Sequence, residues 1–93
     1  MNKPDKHQLD QTVLLLEITK RGMWVLESNP RFAPFIKRNE DKDGTAEVQI
    51  AVEDLRFYVD LIWQLGEDVK IVGPNLAIEY IKQKIESIRM LYH

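Results

Sequence analysis

Trp63-Gln64-Leu65-Gly66-Glu67-Asp68-Val69-Lys70-Ile71-Val72-Gly73-Pro74 is the stretch that decides the fold. It reads as a helix end, a tight turn, a short strand and a breaker, ahead of one amphipathic run to Tyr92. Leu65-Gly66 is a helix stop, because glycine enters the left-handed backbone region without a Cβ penalty. Residues 69–72 are too few and too β-branched for a helix. Proline cannot donate to a ladder and forces extended backbone before it, so Gly73-Pro74 ends the strand. Asn75 then stands where it can cap the final helix.

Upstream, residues 12–18 form the first expected strand. The run Val13-Leu14-Leu15-Leu16 is apolar on both faces, which suits a central position. Thr19 caps a short helix from Lys20 to about Ser28, ended by Asn29-Pro30 and dependent on packing of Met23, Val25 and Leu26 because Gly22 weakens it. Two strands follow, residues 35–39 and 46–52, around Asp41-Lys42-Asp43-Gly44, which reads as a hairpin turn with Asp-Gly chemistry. Ala46, Val48, Ile50 and Val52 alternate with Glu47 and Gln49, the signature of a half-buried strand. Glu53 and Asp54 open the next helix, which runs to Leu65.

The order is strand, helix, strand, strand, helix, strand and a final helix. That predicts an α+β fold, a ferredoxin-like βαββαβ sandwich with an additional C-terminal helix, and its crossovers place the first and third strands in the centre. Residues 1–11 are polar and read as a flexible N-terminal arm or linker; residues 12–92 read as a single domain.

Composition narrows the function. With 93 residues, 44% hydrophobic and 30% charged, the chain is of the globular class. No apolar run approaches the ~18 residues of a membrane helix, and the polar start is no signal peptide. Zero cysteines exclude disulfides and thiolate zinc sites and suit a reducing cytoplasm, the expected location. A net charge of −2 argues against a free-standing nucleic-acid binder.

Chemistry-bearing motifs are sparse. Residues 39–44 imitate the start of an EF-hand loop, but the twelfth position is Ile50 where a bidentate glutamate is needed. The only histidines, His7 and His93, lie near the two ends. Glu40/Asp41 and Glu67/Asp68 sit in turns, where solvated charge is the default. Lys37-Arg38 and Lys82, Lys84 and Arg89 form weak basic clusters, the latter alternating with Glu79 and Glu86 as in a salt-bridged helix face. No phosphate-binding loop or nucleophile elbow is present. The expectation is therefore no enzyme, no cofactor and no metal.

Two apolar surpluses remain. In the middle helix Glu53, Arg56, Asp60 and Gln64 fall within an arc of about 80°, and everything else from Leu55 to Leu65 is apolar. Leu55, Tyr58, Ile62 and Leu65 should face the sheet. Phe57 then lies on one shoulder, with Val59 and Trp63 on the other, where they either meet flanking helices or form an exposed patch. In the last helix Ile78, Ile81, Ile85, Ile88 and Tyr92 follow a 3,4,3,4 spacing, a seam for intradomain packing or for a partner. These eight residues, Phe57, Val59, Trp63, Ile78, Ile81, Ile85, Ile88 and Tyr92, are the candidate interface.

The block from Leu55 to Tyr92 resembles the C-terminal extension, or WCX region, of WYL-domain transcriptional regulators, through the apolar helix ending in Leu65-Gly66, the strand from Asp68 to Val72, Pro74 and the closing Leu91-Tyr92. The weaker likeness reaches back to Thr12. The resemblance implies a regulator with an N-terminal winged helix-turn-helix and a WYL domain that senses a ligand or nucleic acid. The extension would contribute to dimer contacts and relay the signal. It implies a non-catalytic regulatory and oligomerisation module that self-associates or docks on the WYL domain, with DNA contact only through the parent protein and no membrane. This chain holds no Trp-Tyr-Leu tripeptide, since Trp24 precedes Val25 and Trp63 precedes Gln64, so it is expected to be a terminal fragment or a stand-alone relic of such a regulator. Many members carry a His-rich segment after the first helix; Asn29-Pro30-Arg31-Phe32-Ala33-Pro34 stands here instead. The alternative reading is a small-molecule-sensing ferredoxin-like domain.

Overall fold

A computed structural model describes residues 10–92. Strand β1 (Gln11–Ile18) leads into helix α1 (Lys20–Leu26), strands β2 (Ile36–Arg38) and β3 (Gly44–Ala51) form a hairpin, and helix α2 (Leu55–Trp63) follows. Strand β4 (Val69–Gly73) and helix α3 (Asn75–Leu91) close the chain. Short 3-10 turns at Ala33–Phe35, Val52–Asp54 and Gly66–Asp68 lie before β2, α2 and β4. The fold is α+β, with one sheet in the order β2-β3-β1-β4 and every pairing antiparallel. The first and third strands are central, as the crossovers predict. The arm expected over residues 1–11 lies outside the described residues except at its end, where Gln11 opens β1 opposite Ala51 and so belongs to the sheet. His7 and His93 also lie outside them.

Alternation decides the layers. Leu14, Leu16 and Ile18 of β1, Ala46, Val48 and Ile50 of β3, and Val69 and Ile71 of β4 point to one face and are buried there. Met23 and Leu26 of α1, Leu55, Val59 and Ile62 of α2, and Ala77 of α3 join them in one core cluster, so all three helices cover the same face. The second apolar face of β1 has a different fate. Val13 and Leu15 remain 40% and 36% exposed, beside Val72 on β4, and no described element covers them. Central position in this sheet therefore means two paired edges, not two covered faces. Edge strand β4 is blunted by Lys70 and by a register shift between Leu15 and Leu16, both features that discourage a further strand.

Local chemistry accounts for the boundaries. The Thr19 side chain accepts from the Gly22 N–H, as expected of a cap, and its hydroxyl donates to the Asp68 carboxylate at 2.9 Å. Gly22 is required by proximity: a Cβ there would stand 2.7 Å from the Asp68 carbonyl oxygen and 2.8 Å from Ile18 Cγ2. Val25, expected to pack, is half-exposed, because Met23 and Leu26 take the inward face of a helix of fewer than two full turns.

In the β2–β3 connection the left-handed residue is Lys42, at φ 73°, clasped by Asn39 and Asp43. The glycine of the Asp-Gly pair does other work, since a Cβ on Gly44 would lie 2.6 Å from both the Lys37 carbonyl and Met23 Sδ. Gly66 does adopt the expected positive φ, 60°, although α2 has already ended at Trp63. Asn75 is not the cap of α3. The extended Pro74 takes that place, and its carbonyl accepts from the Ala77 and Ile78 amides at 3.0 and 3.2 Å.

Candidate functional site

The polar arc of α2, although exposed, is bordered by α3. The Arg56 guanidinium lies 4.0 Å from the Tyr80 ring centroid, and Lys84 Nζ lies 3.0 Å from the Asp60 carboxylate, so α3 packs along this side of α2. The contact turns α2 about its axis relative to the expectation. Its buried stripe is Leu55, Val59 and Ile62, spaced four and three, while Tyr58 and Leu65 are only partly buried. Val59, expected among the interface residues, is 1% exposed and belongs to the core, because Tyr80 and Ile88 of α3 border the same shoulder.

Phe57 is on the opposite shoulder and is half-exposed. It meets Tyr58 edge to face at 5.9 Å, and Tyr58 meets the buried Phe32 at 5.7 Å. Arg31 covers the Phe57 ring at 4.9 Å. Phe32 is therefore a core anchor inside the loop of residues 29–34, and the Asn29 side chain shapes that loop by accepting from the Arg31 amide. No sequence periodicity marks Phe32, since it sits in irregular backbone.

The isoleucine seam is divided. Ile78 and Ile81 pack against the core beside the fully buried Ala77. Ile85 and Ile88 are 50% and 41% exposed, and Met90, Leu91 and Tyr92 are exposed beyond them. The second half of α3 thus leaves its apolar residues partly or largely uncovered, Ile85 and Ile88 at the margin of α2 and Met90, Leu91 and Tyr92 beyond it. Trp24, which no interface expectation included, is 81% exposed on α1. Its position was readable, for Met23 and Leu26 must face inward and Trp24 then points out.

Between the end of α2, the turn Gly66–Asp68, β4 and α3 lies a cleft of about 410 Å³ lined by Ile62, Trp63, Gly66, Glu67, Val69, Lys70, Ile71, Ile81 and Ile85. Trp63 is partly buried, and Lys84 Nζ lies 5.7 Å from its ring. Other charged groups form surface pairs: Arg38 bonds to Glu27, and Arg89 bonds to Glu86 through two nitrogens at 3.2 and 2.7 Å. Such exposed pairs contribute little stability but keep the helix faces solvated.

Among the described residues no polar or charged side chain is buried, and no three His, Cys, Asp or Glu side chains converge to hold a metal ion. Among them, no helix is long and apolar enough to cross a membrane. The features that distinguish this surface are apolar: the overhanging end of α3, Phe57 under Arg31, the open sheet strip and the cleft. In comparison with known proteins, a family model described as the WCX domain matches residues 10–88, from the residue before β1 to Ile88 of α3. No curated protein matches the chain.

Proposed function

The chain belongs to the WCX domain family, and on that premise we propose that it is a non-catalytic regulatory module of a WYL-type DNA-binding regulator in the cytoplasm, acting by contact rather than by chemistry. The strand order β2-β3-β1-β4 supports reading its fold as ferredoxin-like with one added helix. The observation that carries the functional reading is the divided last helix. Its first half completes a core, and its second half presents Ile85, Ile88, Leu91 and Tyr92 to solvent. An apolar stripe of this kind is stable in water only at a cost that burial against a partner removes. The partner is a second copy or the WYL domain of the same regulator, and DNA is reached only through the parent protein.

Sedimentation equilibrium over a hundredfold range of concentration tests the self-association part. Reversible association is expected, whereas a strict monomer throughout would leave only docking to the WYL domain. The cleft beside Trp63 favours a second reading, a ligand-sensing domain. Ligands that bind only the folded state raise its melting temperature by mass action, so a thermal-shift screen of metabolites separates the two.

A further inference from the structure

One edge of the sheet has a gap. β1 pairs with β3 along its whole length, from Gln11↔Ala51 to Ile18↔Gly44, but with β4 only from Leu15 to Ile18. After Gly73 the chain leaves the sheet at Pro74 and enters α3. Two bonds fix the backbone directions. The Val52 amide donates to the Asp10 carbonyl at 2.8 Å, and these residues continue the β1–β3 register, so the backbone groups of Thr12 and Leu14 also point to β3. The Thr19 amide donates to the Asp68 carbonyl at 2.9 Å, so the backbone groups of Gln11, Val13, Leu15 and Glu17 point the other way, to the lane of β4. Beside Gln11 and Val13 that lane is empty among the described residues, and their N–H and C=O groups have no ladder partner there.

The other edges are protected and this one is not. Two of the three residues of β2 are basic, Lys37 and Arg38, and β4 carries Lys70 and the register shift. Gln11, Thr12 and Val13 bring no charge, proline or glycine, and Val13 and Leu15 leave apolar surface uncovered alongside. A regular, uncharged edge invites another strand. We propose that this gap pairs with the same gap of a second copy of the chain, antiparallel, about a two-fold axis at Thr12. Gln11 then stands opposite Val13 of the second copy, and Val13 opposite its Gln11. Each pair exchanges both of its backbone bonds, so every unpaired group on either side meets its complement. A loose extended peptide would also fill the gap, but it would present a new unpaired edge on its far side. The second copy does not, because its β1 is already paired there with its own β3. The surface includes neither Phe57 nor α3, so it goes beyond the proposed function and does not rest on it.

A covalent trap provides the experiment. The chain contains no cysteine, so a single introduced thiol forms a disulfide only between copies. Thr12 is the residue that meets itself on the axis, in a non-hydrogen-bonded position where opposite Cα atoms lie about 4.5 Å apart, within disulfide reach. In a glutathione redox buffer Thr12→Cys should give at least about tenfold more disulfide-linked dimer than Glu47→Cys, an exposed site inside β3. Val13→Pro added to Thr12→Cys should return the yield to that control, since it removes an N–H that the β1–β3 ladder does not use. Val13→Lys should lower the yield through its charge alone, and circular dichroism should show both variants folded. Ile85→Ser/Ile88→Ser added to Thr12→Cys should leave the yield well above the control. Equal yields for Thr12→Cys and Glu47→Cys, or a Thr12→Cys yield that neither substitution of Val13 lowers, would overturn the pairing. A yield that fell to the control in the α3 variant would assign the contact to α3 and overturn it too. Loss of sedimentation association in that variant, with the cross-link retained, bears only on the proposed function.

Discussion

Ala77, Ile78 and Ile81 and, one turn later, Ile85, Ile88 and Tyr92 belong to one helix and one periodic stripe, yet only the first group is packed into the core. The difference lies in what is underneath. Five residues of β4 span about 17 Å, while the seventeen of α3 span about 25 Å, so a helix lying along this edge strand outruns it by several residues. Periodicity decides which face is apolar. The length of the neighbouring element decides how much of that face is used for folding, and the remainder is available for contact.

If the first half is structural, Ala77→Asp should be the most damaging change considered for the domain. It places a carboxylate where exposure is zero, at a cost of about 3 kcal/mol or more, a large part of the stability of a small domain. Urea denaturation should show a loss of that size or an unfolded chain; a near-native midpoint would break the comparison at its structural end. Gly22→Ala should come next, at about 1–3 kcal/mol, because the added methyl meets backbone at Asp68 as well as the Ile18 side chain. A neutral result would mean that the link between α1 and the turn before β4 gives way easily.

Much of the architecture was legible because short-range rules governed it. The alternation of Ala46, Val48 and Ile50, the positive φ at Gly66 and the strand end at Gly73-Pro74 follow from neighbouring residues alone. What was not legible depended on distant contacts. Val59 moved into the core because Tyr80 and Lys84, more than twenty residues away, engage the polar arc of α2. Gly22 and Gly44 answer to Asp68, Met23 and Lys37, and no local pattern marks them. The uncovered strip Val13, Leu15 and Val72 was hidden for the opposite reason, since two apolar faces in a strand suggest two covers and only one is present among the described residues. Of the candidate interface, Phe57, Ile85, Ile88 and Tyr92 are accessible, Trp63, Ile78 and Ile81 are partly buried, and Val59 is not available.

The smallest expected change in stability belongs to the second half of α3, and it tests the central claim. The double variant Ile85→Ser/Ile88→Ser removes side chains that the folded domain leaves 50% and 41% exposed, so thermal and urea unfolding should differ from the parent by only about 1 kcal/mol per site. Measured in the same samples by sedimentation equilibrium, association of the parent chain should be lost or greatly weakened in the variant. A variant that unfolds by several kcal/mol more readily, or that associates as the parent does, would contradict the assignment of this half to contact.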